Sequence, residues 1–187
     1  MTMLVIGVVG YPGSGKGEFS RIAKEMGIPI VVMGDVIRRE LENAGLKQTD
    51  KNMGEMSKCL RQGMGMDALA RLSIPLIEEQ KSKVVLVDGI RGDAEVDTFA
   101  ERFKDFRLIA VEASFETRLN RLMERGRSDD IQDTDGLSAR DDRENGWGLD
   151  NAMDMADCVI TNEGTMEEFG EKARDLIKKL EMRKDVS

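Results

Sequence analysis

The run Gly10-Tyr11-Pro12-Gly13-Ser14-Gly15-Lys16-Gly17 matches the pattern G-x-x-x-x-G-K, directly behind an apolar β-branched stretch and ahead of a helical pattern. Glycines let backbone N–H groups turn inward around a phosphate, the following helix N-terminus adds partial positive charge, and Lys16 supplies a full charge that reaches the terminal phosphates. The loop, with Glu18 just behind it, is built to hold a triphosphate. A dinucleotide loop using Gly13 and Gly15 is the alternative. It has no use for a lysine at position 16, although Asp35 stands about where a ribose-binding acid belongs. The residue after the lysine is Gly17 in place of a magnesium-binding Ser or Thr. Asp88, closing the apolar run Val84 to Val87, is therefore the candidate magnesium partner, with Ser14 or Ser20 as substitute hydroxyls; by itself it reads equally well as a helix cap.

Elements that would position these groups are visible in the hydropathy pattern. Short apolar runs at Met3 to Val9, Ile30 to Met33, Val84 to Val87, Leu108 to Val111 and Cys158 to Ile160 alternate with helical patterns at Glu18 to Met26, Val36 to Ala44, Ala94 to Phe103, Phe115 to Arg125 and Glu167 to Leu180. That alternation predicts an α/β fold: a five-stranded parallel sheet between two helical layers, the three-layer arrangement of P-loop proteins, with function gathered at the carboxyl edge of the strands. Two stretches break the rhythm within what is expected to be one domain over 1–187. Residues 45–80 read as a methionine-rich helical insertion punctuated by Gly54, Gly63 and Gly65, on the acceptor side. Residues 126–156 turn strongly polar and read as a lid region or a solvated loop.

Composition narrows the chemistry further. The chain has 187 residues, no histidine and two cysteines, Cys59 and Cys158, in unlike surroundings. Imidazole-based nucleophilic catalysis, most zinc sites and a disulfide framework are thereby excluded, and a reducing cytoplasm is the expected setting. With 28 Lys+Arg against 36 Asp+Glu the net charge is -8, which disfavours nucleic acid and anionic membrane surfaces as partners. No apolar run approaches the length needed to span a bilayer.

Lys16-Gly17, in place of Lys-Ser, resembles the adenylate kinase branch of the nucleoside monophosphate kinases. Gly34-Asp35-Val36-Ile37-Arg38 is similar to that family's G-D-x-[L/I]-R, and Asp88-Gly89-Ile90-Arg91 resembles its D-G-x-x-R with the arginine one residue early. Arg140-Asp141-Asp142 is like the R-x-D-D of the lid, and Arg125-Gly126-Arg127 is similar to the arginines that open it. Asp157 to Thr165 resembles the last strand and loop of monophosphate and dephospho-coenzyme A kinases. The whole pattern looks closest to the archaeal adenylate-kinase-related proteins, UPF0200-like. Glu18 departs from the adenylate kinase threonine, and the lid lacks both a zinc cysteine set and an apolar hairpin pattern.

The resemblance implies ATP-dependent, magnesium-assisted phosphoryl transfer to a nucleoside monophosphate or similar small phosphorylated acceptor. Gly10 to Glu18 would hold the donor, Asp88 the metal, and Asp35, Arg38 and Arg91 the acceptor. Lys16, Arg127 and Arg140 would act on the transferring group, with Arg125 and Arg143 beside them. Each arginine reads also as solvated surface charge, and Asp35 as a cap of the helix at Val36. Two alternative activities are a dephospho-coenzyme A kinase and, in another class, an ATP-binding regulatory switch that presents its helical insertion to a protein. A monomer or small homo-oligomer is expected.

Overall fold

The computed structural model describes residues 3–125 and 133–184. Five strands, β1 (Leu4–Val9), β2 (Ile30–Val32), β3 (Val84–Asp88), β4 (Asp105–Glu112) and β5 (Cys158–Thr161), form one parallel sheet in the order β2-β3-β1-β4-β5. The expected α/β architecture is present. β1 lies between β3 and β4, pairing Val8 with Asp88 on one side and Val9 with Ala110 on the other. The chain therefore leaves β1 toward one edge and later crosses to the other, which opens a crevice above the carboxyl end of β1. β4 is longer than its apolar run because it pairs along the whole of β1, starting from Leu4 opposite Asp105.

Side chains alternate across the sheet with period two, and both faces are covered. Leu4, Ile6, Val8, Leu86, Ile109 and Val111 pack on α1 (Lys16–Glu25) and α9 (Met166–Lys184) through Phe19, Ile22 and Phe169. Val5, Val9, Val85, Val87, Leu108 and Ala110 face the opposite layer, formed by α2 (Met33–Asn43), α4 (Ala68–Glu78), α5 (Asp93–Arg102) and α8 (Leu149–Asp154). Burial of this continuous apolar run on both faces makes β1 the most immobile platform available to the loop that follows it.

The insertion consists of α3 (Asp50–Met64), capped by Thr49 accepting from the Asn52 amide at 3.2 Å, and α4. Among the described side chains of α3 one is buried, and it is charged: Arg61 donates to Glu95 at 2.8 Å, both side chains almost fully enclosed. The other Glu95 oxygen accepts from the Arg91 amide at 2.7 Å. Breaking a buried pair leaves one charge without compensation, so Arg61→Ala is expected to lower unfolding free energy by ~3 kcal/mol, read from urea denaturation.

Of the polar stretch 126–156, residues 126–132 lie outside the described residues. The remainder is α7 (Thr134–Asn145), capped by Asp133 accepting from the Gly136 amide at 2.7 Å, followed by α8. Leu149 and Ala152 of α8 are completely buried against β1 and α5, so the end of this segment is core. A Cβ on Gly92 would lie 2.1 Å from the Trp147 carbonyl oxygen, so only glycine lets the turn before α8 rest on the start of α5. No described helix is long and apolar enough to cross a membrane.

Candidate functional site

Above the carboxyl ends of the strands lie two adjoining cavities. One, of about 440 Å³, is framed by Gly13, Gly15, Lys16, Gly17 and Glu18 on one side and Arg121 on the other. Its neighbour, of about 560 Å³, reaches from Met33 and Arg38 across to Met53 of α3 and Trp147. Three residues line both: Asp88, Arg91 and Arg140.

The loop cavity owes its shape to the sharp exit from β1. Gly15 has φ +113°, and a Cβ there would sit 2.2 Å from the Asn162 amide nitrogen, so a side chain is excluded by both conformation and space. Asn162 is itself 2% exposed; its Nδ2 donates to the Ser14 carbonyl at 2.9 Å and its Oδ1 accepts from Arg121 at 3.1 Å. Lys16 Nζ turns into the loop, donating to the Gly10 and Tyr11 carbonyls, the latter at 3.0 Å. Removal from water and the nearby Arg91 charge push its pKa down to about 7. Glu18 points along α1 to Arg21, whose guanidinium holds its carboxyl below the usual range. This leaves Glu18 engaged with its own helix.

At the junction, Asp88 accepts from the Ser20 hydroxyl at 2.8 Å and forms no ion pair among the described residues. Ser20 stands one turn beyond Lys16 on α1, so a hydroxyl lies beside Asp88 although position 17 is glycine. Among the described residues there is no cluster of three or more acidic or cysteine groups able to enclose a metal. A divalent cation at Asp88 would take its remaining ligands from phosphate oxygens and water, the manner in which magnesium is commonly held. The donor set fits that ion.

Beside Asp88 lies a carboxylate that the sequence did not single out. Glu144 of α7, 2% exposed, accepts from Arg91 Nη1 at 2.8 Å on one oxygen and from Arg140 Nε at 3.3 Å on the other. Burial pushes its pKa up, but Arg91, Lys16 and Arg140 outweigh burial and hold the carboxyl below its ordinary value. The second cavity is lined by cations and by apolar side chains such as Met33, Ile37 and Leu69. Arg38 reaches it from α2. The Trp147 ring carries Arg61 at 5.2 Å and Arg143 at 6.0 Å.

Lys16, Asp88, Arg91 and Arg140 thus come together, with Arg38 across the second cavity. Asp35 does not join them: α2 begins at Met33, placing Asp35 within its first turn, exposed and paired with Arg38, so it does not cap the helix. Pro12, Gly13, Gly15, Gly17 and Glu18 line the loop cavity, whereas Tyr11 and Ser14 border a separate hollow of about 370 Å³, and Gly10 is drawn tight against the Val111 carbonyl. Arg127 lies outside the described residues.

Two further arginines escaped the motif reading. Arg118 forms a two-pronged pair with Asp141 at 3.0 and 2.7 Å, donates to the Pro12 carbonyl at 3.2 Å, and lies over Tyr11 and Phe115. Arg121 faces the loop cavity with its buried Nη1 unpartnered. Their signal was spacing: positions 118 and 121 fall on one face of α6 (Phe115–Arg125).

This arrangement, a parallel sheet whose first strand delivers a P-loop to a crevice shared with a second, arginine-lined cavity, defines a P-loop NTPase fold. The chain matches the AAA domain family over residues 9–137 and is 58% identical over 179 residues to the UPF0200 protein of Methanoregula boonei, covering 96% of this chain and 98% of that one. A second relative, the UPF0200 protein of Methanoculleus marisnigri, is 55% identical over 95% of this chain and 97% of its own. The protein belongs to the UPF0200 family. Among solved structures, TT1252 from Thermus thermophilus superposes with a TM-score of 0.69 at 18% identity, covering 96% of this chain and 99% of that one. The shikimate kinase of Bacteroides thetaiotaomicron gives 0.65 at 15% identity, covering 94% and 99%. At such identities the likeness is one of fold.

Proposed function

We propose that this protein transfers the γ-phosphoryl group of ATP to a small anionic acceptor, a nucleoside monophosphate or a related phosphorylated compound. The observation that carries the proposal is the pair of cavities meeting at Asp88, Arg91 and Arg140. Donor and acceptor bound in two adjoining hollows would bring the reacting oxygen and phosphorus together across that junction, and aligning them while neutralising charge is most of what phosphoryl transfer asks of a protein. Asp88 would hold a magnesium ion, whose contribution would be charge neutralisation at the donor phosphates. Lys16 would move from the Gly10 and Tyr11 carbonyls onto those phosphates, which favour its ammonium form. Arg140 would stabilise the transferring group, and Arg91 would orient it against the acceptor. No histidine is required, because the acceptor's attacking oxygen is already acidic when it belongs to a phosphate.

Acceptor charge explains the cations that line the second cavity. In a chain of net charge -8, Arg38, Arg91, Arg140 and Arg143 all line that one hollow. Among the described residues Arg38 pairs only with the exposed Asp35, so its guanidinium is free to exchange that weak contact for a phosphate. Arg38→Ala is expected to raise the acceptor KM by ~10–100-fold while the KM for ATP changes little, measured in initial-rate titrations of each substrate. A selective loss of ATP affinity would reassign Arg38.

The activity itself is tested with γ-labelled Mg-ATP and a panel of nucleoside monophosphates, dephospho-coenzyme A and shikimate. Label appearing in one acceptor identifies it. Label released only as inorganic phosphate, at a rate indifferent to every acceptor, would replace the transferase with a nucleotide-hydrolysing switch.

A further inference from the structure

We infer that Glu144 is the positioning residue of this site: by giving one carboxylate oxygen to Arg91 and the other to Arg140, it fixes both guanidinium groups at the boundary between the two cavities, where the phosphoryl group would pass. This rests on the phosphoryl-transfer reading and adds to it a residue that neither the P-loop nor the arginine motifs indicate.

Three observations support it. First, the two arginines come from different elements, Arg91 from the loop after β3 and Arg140 from α7, and Glu144 is the one described carboxylate that contacts both. Second, Glu144 is buried while the arginines are not: its side chain is 2% exposed, against 31% for Arg91 and 25% for Arg140. A carboxylate so enclosed is unfavourable unless both oxygens are satisfied, whereas the guanidinium groups keep faces turned into the cavities. The enclosed member of the trio is the acid, and the arginines retain N–H donors for a ligand. Third, α7 is itself tied to the P-loop on the same face. Asp141 pairs with Arg118, which donates to the Pro12 carbonyl, and Asn145 accepts from the Tyr11 hydroxyl at 2.7 Å. Positions 141, 144 and 145 follow helical spacing, so one face of α7 registers the loop and the two arginines together.

Like charges held side by side repel, and without the acid Arg91 and Arg140 would separate toward solvent. Glu144 also lies close enough to Lys16 to favour its ammonium form. A variant that keeps the charge and shortens the reach therefore separates position from electrostatics, and Glu144→Asp does so. An aspartate on the same backbone retreats by one methylene and cannot span both guanidinium groups.

The test compares calorimetric dissociation constants for Mg-ADP and for the magnesium complex of a non-hydrolysable ATP analogue, alongside thermal melting. The wild-type protein is expected to bind the triphosphate analogue ~10-fold or more tightly than the diphosphate, since only the former places a phosphoryl group against Arg91 and Arg140. In Glu144→Asp that preference should disappear while Mg-ADP affinity stays within about threefold of wild type, as misplacement by ~1 Å suffices to undo an aligned contact. Should Glu144→Asp fail to fold, Glu144→Gln carries the same comparison, because its amide has a single oxygen and cannot accept from both guanidinium groups; it too should lose the preference and retain Mg-ADP. An undiminished preference in the folded variant would overturn the inference, as would equal loss of both ligands, which would make Glu144 a support of the loop alone. A wild-type protein that shows no preference would also overturn it. One that binds neither nucleotide would overturn the transfer reading underneath.

Discussion

Lys16→Ala is expected to lower kcat/KM for ATP by at least ~10³-fold, the loss of a full positive charge directed at phosphates in a site partly withdrawn from water. Direct calorimetry would show the accompanying loss of nucleotide affinity. The same residue predicts a pH dependence whose sign follows from its environment. In the free protein the ammonium has its pKa pushed down to about 7 by burial and by Arg91. Bound phosphate favours the charged form, so below pH 7 the lysine is already protonated and affinity is flat with respect to this group. Above it the amine is mostly neutral, a proton must be taken up on binding, and affinity falls by up to ~10-fold per pH unit. Calorimetry in two buffers of different ionisation enthalpy should register uptake approaching about one proton at pH 8 and little at pH 6. Lys16→Ala should abolish that uptake.

Arg140→Ala is the second large effect. An arginine that neutralises the transferring group typically changes turnover by about 10³–10⁵, and this one lies at the junction of the cavities with solvent excluded on its Glu144 side. A fall in kcat of ~10³ with little change in Mg-ADP affinity is expected, measured by steady-state transfer and calorimetry. A loss of a few-fold would be that of an ordinary surface ion pair, worth about 0–1 kcal/mol, and would remove Arg140 from the reaction.

The sheet was readable because its inner strands β1 and β3 are buried on both faces and so stay apolar residue after residue, while the outer strands keep shorter apolar runs. Each of the five runs from Met3 to Ile160 became a strand, with ends shifted by pairing partners invisible along the chain, as at Asp105. α1, α2, α5, α6 and α9 were readable for the complementary reason: one apolar stripe against polar surroundings. α7 was not. Its inward residues are Leu137, Asp141, Glu144 and Asn145, and a single apolar residue on an otherwise polar buried side leaves no stripe for hydropathy to reveal. Glu144 was missed for the same reason, standing among acids and arginines that read as a solvated segment. α8 escaped because six residues show less than two turns of periodicity, although Leu149 and Ala152 are wholly enclosed.

The site was legible where a motif fixes backbone geometry and obscure where contacts come from distant parts of the chain. The P-loop and Asp88 could be placed from order alone. Arg118, Arg121 and Asn162, which hold the loop from the far side, are separated from it by more than a hundred residues. Of the two hydroxyls offered by sequence, Ser20 contacts Asp88, whereas that of Ser14 is buried with no hydrogen-bond partner among the described residues.

Trp147 is the single tryptophan in the chain, and it lies at the wall of the second cavity between two guanidinium groups. Indole emission responds to neighbouring charge and to water, so the intrinsic fluorescence of the unlabelled protein reports on this one wall and nowhere else. A stopped-flow trace of that emission would time the arrival of an acceptor separately from that of the nucleotide, with no dye attached and no residue replaced.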